Sequence, residues 1–121
     1  MLQAKLSNLT LATAFTLLAA CPLHAAEDAL TQAVTEFGTL NGVILACKQH
    51  ALTARMREIM VETVPKERNV GEIFEEATSK SFLNFGAEGK ACPDGKSLAE
   101  QIELGRSKLQ QAAGKPAGNG V

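Results

Sequence analysis

Cys47-Lys48-Gln49-His50 sets a thiol and an imidazole three residues apart, on one face if the stretch is helical, and Cys92 supplies a second thiol downstream. Three kinds of chemistry could use them: a disulfide, a metal site, or an activated cysteine. A tetrahedral metal site needs a fourth ligand, and none is evident. No thiol stands at C-x-x-C spacing, and the other histidine, His24, falls in the N-terminal leader. An even pair of cysteines in an exported chain is most simply a disulfide, so Cys47 and Cys92 are read as a staple, with no metal and no cofactor. The chain-entropy model gives such a bond about 4 kcal/mol for a loop of this length.

Carboxylates are the second candidate. Glu72, Glu75 and Glu76 crowd one short stretch, which could serve acid-base work or a cation. They also fall where a helix is expected to begin, and acidic side chains are favoured there by the positive end of the helix dipole. A solvated helix start accounts for them without chemistry. Lys48, Arg55 and Glu62 likewise share one polar side of a helix. The chain has no G-x-S-x-G elbow and no Gly-rich phosphate loop, and a single histidine beyond the leader makes a poor Ser/His/Asp set. No catalytic residue is assigned, and the expectation is that the protein is not an enzyme.

The leader sets the compartment. Lys5 is the only charge before Glu27, Leu6 to Ala20 is apolar, and Pro22-Leu23-His24-Ala25-Ala26 precedes the acidic Glu27-Asp28. That layout is a bacterial secretory signal over residues 1–25, with cleavage after Ala25 or Ala26. The apolar run is shorter than the roughly 20 residues of a membrane-spanning helix, so the mature chain is expected to have no transmembrane segment. A second reading competes: Leu18-Ala19-Ala20-Cys21 resembles a lipoprotein box, in which Cys21 is acylated and anchors the protein to a membrane. Periplasmic or secreted is the first expectation, a membrane-anchored lipoprotein the alternative. Under both, Cys21 leaves the fold.

What remains must position the staple. With 45% hydrophobic and 21% charged residues the chain is in the range that folds around a core. A net charge of −1 and the lack of Trp and Tyr leave neither a basic footprint nor stacking platforms for nucleic acid. Helical spacing of Ala29, Leu30, Ala33, Val34, Phe37 and Leu40 predicts a first helix from about Asp28 to Thr39, and Asn41-Gly42 reads as a tight break or a kink. A long central helix from Gly42 to Val64, ended by Pro65, is expected to organise the fold. Its strong stripe is Leu45, Leu52, Met56, Ile59 and Met60, its weaker one Val43, Cys47, Ala54 and Val61.

Asn69 with Glu72 has the spacing of a capping box, opening a third helix buried through Val70, Ile73, Phe74 and Ala77 and stopped at Gly86. Residues 87–96 read as a loop. Ser97 with Glu100 repeats the capping spacing before Leu98, Ile102 and Leu109, in a fourth helix that runs to about Ala112. No run alternates like a strand. The expectation is all-α: a small four-helix, bundle-like domain over residues 26–112, antiparallel, or irregularly packed if Asn41-Gly42 is only a kink. Residues 113–121 have nothing to bury and are expected to be disordered.

Two functional classes fit such a scaffold. One is a protein that binds another protein in the bacterial envelope, as an inhibitor, immunity factor, chaperone or accessory subunit. The other is a carrier of a small apolar ligand, held in a cleft between helices lined by Met56, Met60 and phenylalanines. In layout, not in motif, the chain resembles the small acid-stress chaperones of the periplasm, which are exported, helical and closed by one disulfide with a helix after the second cysteine. Phe82, Leu83 and Phe85 mark where a partner would touch, because three large apolar residues in four positions cannot share one buried stripe. Either the last turn tightens and a loop covers Leu83, or the cluster is a surface.

Overall fold

A computed structural model describes residues 22–114. Residues 1–21 of the expected leader, Cys21 among them, lie outside the described residues, as do residues 115–121 of the expected tail. Four helices follow one another: α1 (Pro22–Ala46), α2 (His50–Thr63), α3 (Arg68–Glu88) and α4 (Gly95–Ala112). Among the described residues there is no strand. The all-α class and the four-helix count are as expected. The organising element is different. It is α1, which packs against all three other helices, whereas α3 makes no close backbone approach to α2 or α4.

Asn41-Gly42 is neither break nor turn, and α1 passes straight through it. A Cβ built on Gly42 would lie 2.5 Å from the Thr78 carbonyl oxygen and 2.6 Å from the Ser81 Cβ, and one on Gly38 would lie 2.7 Å from the Phe74 carbonyl oxygen. The two glycines are one helical turn apart on the face that meets α3, and they let the two backbones nearly touch. Contacts advance together along both helices, Gly38 beside Phe74 and Ala77, then Gly42 beside Thr78 and Ser81, so α1 and α3 run parallel. Polar side chains complete the crossing. Asn41 Nδ2 donates to Thr78 Oγ1 (3.2 Å), Thr78 Oγ1 to the Phe74 carbonyl (2.8 Å), and Ser81 Oγ to the Thr39 carbonyl (2.6 Å). The packing is therefore the irregular four-helix alternative, not an antiparallel bundle.

The chain breaks instead at Cys47–Gln49. Lys48 has φ 59°, its N–H meets the Leu45 carbonyl (3.1 Å), and the Gln49 N–H meets the Ile44 carbonyl (3.1 Å). This is a Schellman cap with lysine where glycine is usual. The expected central helix is thus cut in two, and the helical phase resets at Lys48. Leu45 belongs to α1 and is 36% exposed, while Ile44 is fully buried. Beyond the reset, Met56, Ile59 and Met60 are buried as expected and Leu52 is partly buried, whereas Val61 is 65% exposed.

Both expected capping boxes move. α3 starts after Glu67, which makes no side-chain cap hydrogen bond, because the Glu67 N–H closes a tight turn on the Pro65 carbonyl (2.8 Å) ahead of Asn69. It ends at Gly89, φ 62°, not at Gly86, which lies inside the helix. α4 starts at Gly95, three residues early, because Asp94 rather than Ser97 is the cap and accepts from the Ser97 N–H (2.7 Å). Val34, Phe37, Ile44, Met56, Ile59, Leu98, Ile102 and Leu109 form the fully buried centre, where each large side chain contributes about 1.5–3 kcal/mol. Phe37 reaches α4 at Gly105, where a Cβ would come within 2.7 Å of its ring.

Ion pairs lie on the outside. Lys108 Nζ meets Glu36 Oε2 (3.1 Å) between α4 and α1, and Arg55 meets Glu103 (3.7 Å) between α2 and α4. The Gln32 amide, then Lys108, hold the Glu36 carboxyl below its ordinary range. A depressed carboxylate adds stability above its unfolded range that is lost as pH falls through the folded one. Glu36 is so exposed that this contribution is small.

Two pairs of variants check this packing by denaturant titration. Gly42→Ala should cost about 1–3 kcal/mol because its new methyl meets backbone atoms, while Gly86→Ala, with open space around it, should gain about 0.5–1 kcal/mol. Met56→Ala should cost about 2–5 kcal/mol, and the exposed Arg57→Ala should stay within about 0.5 kcal/mol of the parent.

Candidate functional site

Cys47 and Cys92 are joined, with Cα atoms 5.7 Å apart and a sequence separation of 45. Cys47 caps the C-terminal end of α1, and Cys92 stands in the loop between Gly89 and Asp94 that delivers the chain to α4. The bond therefore ties the organising helix to the start of the last one. A disulfide of this kind fits an oxidising compartment. Among the described residues no helix is long and apolar enough to cross a membrane.

The remaining candidates for chemistry stay apart. His50 is the exposed first residue of α2, and Glu72, Glu75 and Glu76 are exposed on the first turns of α3. Among the described residues no three His, Cys, Asp or Glu side chains come together as a metal site would require. These positions offer solvated charge rather than a shaped centre.

The apolar cluster is brought together. α3 turns Val70, Phe74, Ala77, Thr78 and Ser81 toward α1, so the 100° step carries Leu83 to the outside. Leu83 is 67% exposed, Phe82 is 42% exposed, and Phe85 is partly buried. The loop does not cover Leu83, because α3 continues to Glu88 and carries the chain past it. Phe82, Leu83 and Phe85 instead line a groove of about 450 Å³ that reaches Ala46, Lys90 and the Cys92 arm of the disulfide.

A second groove is not legible in the sequence. About 600 Å³ of open space lies between the C-terminal half of α2 and the first turns of α3, bridged by Val64-Pro65-Lys66-Glu67. Met60, Val64, Val70 and Phe74 form its floor, and Val61 and Pro65 are exposed at its edge. Its walls belong to two helices whose relative placement follows from α1, so no single run of sequence signals it. Only Val61, an apolar residue off the main stripe of α2, hints at it.

No protein-family model, curated protein or solved structure matches this chain. The likeness to acid-stress chaperones thus stays one of layout.

The oxidised protein should show no free thiol from Cys47 or Cys92 in its native state, and reduction should lower Tm by on the order of 15 °C or more, following a loss of about 4 kcal/mol. Lys48→Gly should raise stability by roughly 1 kcal/mol in the same melts, since glycine removes the left-handed strain at the cap.

Proposed function

We propose that this protein works by binding another protein in the bacterial envelope, as an inhibitor, immunity factor, chaperone or accessory subunit, and not by catalysis. The observation that carries this reading is the solvent-exposed Leu83, with Phe82 and Phe85 beside it, on a helix whose opposite face is closely packed. A rigid helix that presents large apolar side chains to water has the anatomy of a docking surface, in which a few such residues supply most of the affinity. The secretory layout of residues 1–25 supports a periplasmic or secreted location, with Cys21 acylation as the route to a membrane-anchored form. The disulfide accords with both.

A carrier of small apolar ligands is the second reading. Met56 is buried in the core instead of lining a cleft, while Met60 and Phe74 line the open groove between α2 and α3. Exposure at Leu83 favours the protein partner.

Leu83→Asp tests the proposal in affinity capture from envelope extract, with circular dichroism and Tm as controls. The substitution should leave the melt within about 0.5 kcal/mol of the parent, as exposed positions do, and sharply reduce recovery of the specific partner. Unchanged recovery by a folded variant would remove this surface from the function.

A further inference from the structure

We infer that the groove between α2 and α3 docks an amphipathic helix of a partner protein whose apolar stripe is flanked by acidic residues on one side and basic residues on the other. This rests on the protein-binding reading but uses a different surface. The groove lies at the opposite end of α3 from Leu83, about 18 Å away at the helical rise per residue between positions 71 and 83.

Two observations select this occupant. The groove is open and about 600 Å³ in volume, with an apolar floor and exposed Val61 at its lip, which suits side chains projecting from a helix laid along it. Its charges are sorted by wall. Arg57 stands on α2 and Lys66 on the linker, while Glu72 and Glu75 stand on α3. None of these four makes an ion pair among the described residues, whereas Arg55, Lys90, Arg106 and Lys108 all do. Glu67 and Arg68, adjacent at the closed end, offset each other. A ligand with a single charge, such as a fatty acid, would meet repulsion from one wall. A helix with opposite charges on its two flanks satisfies both walls in the one direction that sets its acidic flank against Arg57 and Lys66 and its basic flank against Glu72 and Glu75.

The test uses the full, oxidised protein and three synthetic helical peptides that share one leucine stripe. One has an acidic and a basic flank, one two acidic flanks, one two basic flanks. Fluorescence anisotropy should show the mixed peptide binding about tenfold tighter than either uniform one. Val61→Asp should abolish that binding, and Arg57→Glu with Lys66→Glu should transfer the preference to the basic peptide, each variant keeping its helical circular dichroism. Absence of binding, equal binding of all three peptides, or indifference to these folded variants would overturn the proposal. So would displacement of the mixed peptide by dodecanoate, which would make the groove a carrier site, or dimerisation lost on Val61→Asp, which would give it to a second copy. Each of these results leaves the Leu83→Asp experiment to judge the other surface.

Discussion

The close approach of α1 to α3 is the constraint from which the rest of the structure follows. Two glycines one turn apart remove the side-chain layer that usually separates helices, so backbone meets backbone where Gly38 and Gly42 face Phe74 and Thr78. At that distance polar groups reach across. The Asn41, Thr78 and Ser81 hydrogen bonds are buried or partly buried, where an unmade bond costs more than a made one gains. Asn41 Oδ1 is the one buried side-chain polar atom without a partner among the described residues, so the crossing sacrifices part of one amide to hold its register. A parallel pair of helices cannot be joined by a short link. The chain between them must travel back, and α2 with its linker is that return.

Both apolar surfaces follow from this arrangement. Because α3 spends its packing face on α1, it makes no close approach to α2, and the space between them remains as a groove floored by Met60, Val64, Val70 and Phe74. Because α3 is long and its small residues face inward, its large residues near the C-terminal end have little left to pack on, and Leu83 stays in water. The disulfide lies beside that end and holds the loop to α4 against the end of α1. Core, groove and cluster are three outcomes of one crossing.

The sequence was legible wherever apolar spacing alone decided. Leu98, Ile102 and Leu109 stand out because α4 has one buried stripe, and Val70, Phe74 and Ala77 for the same reason. The cysteine pairing followed from elimination. Asn41-Gly42 was misleading because glycine has two uses, to turn a chain and to let another backbone approach, and only the partner helix distinguishes them. The true break was hidden because lysine occupies the left-handed position that glycine usually marks. Once Lys48 resets the helical phase, a stripe drawn from Leu45 to Met60 joins residues of two different helices. The capping boxes slipped because a proline turn and Asp94 act earlier in the chain than Asn69 and Ser97 do. Leu83 could be placed outside by periodicity, but the groove between α2 and α3 could not be read from any local pattern.

The helix that the other three pack on is also the first of the four described helices to be made. α1 is complete at Ala46, yet its closest neighbour α3 does not begin until Arg68, and Lys108, which pairs with Glu36, is 72 residues downstream of it. During synthesis its broad apolar surface of Val34, Phe37 and Ile44 therefore waits for most of its tertiary partners, a state that invites holding factors or aggregation. Native contacts of such long sequence separation slow folding, because loop closure precedes any reward. Cys47 shares the wait: its thiol stays available to other thiols until all of α3 has followed it and Cys92 arrives. Placing the second cysteine after α3 means that the covalent bond can form only once both helices of the crossing have been made.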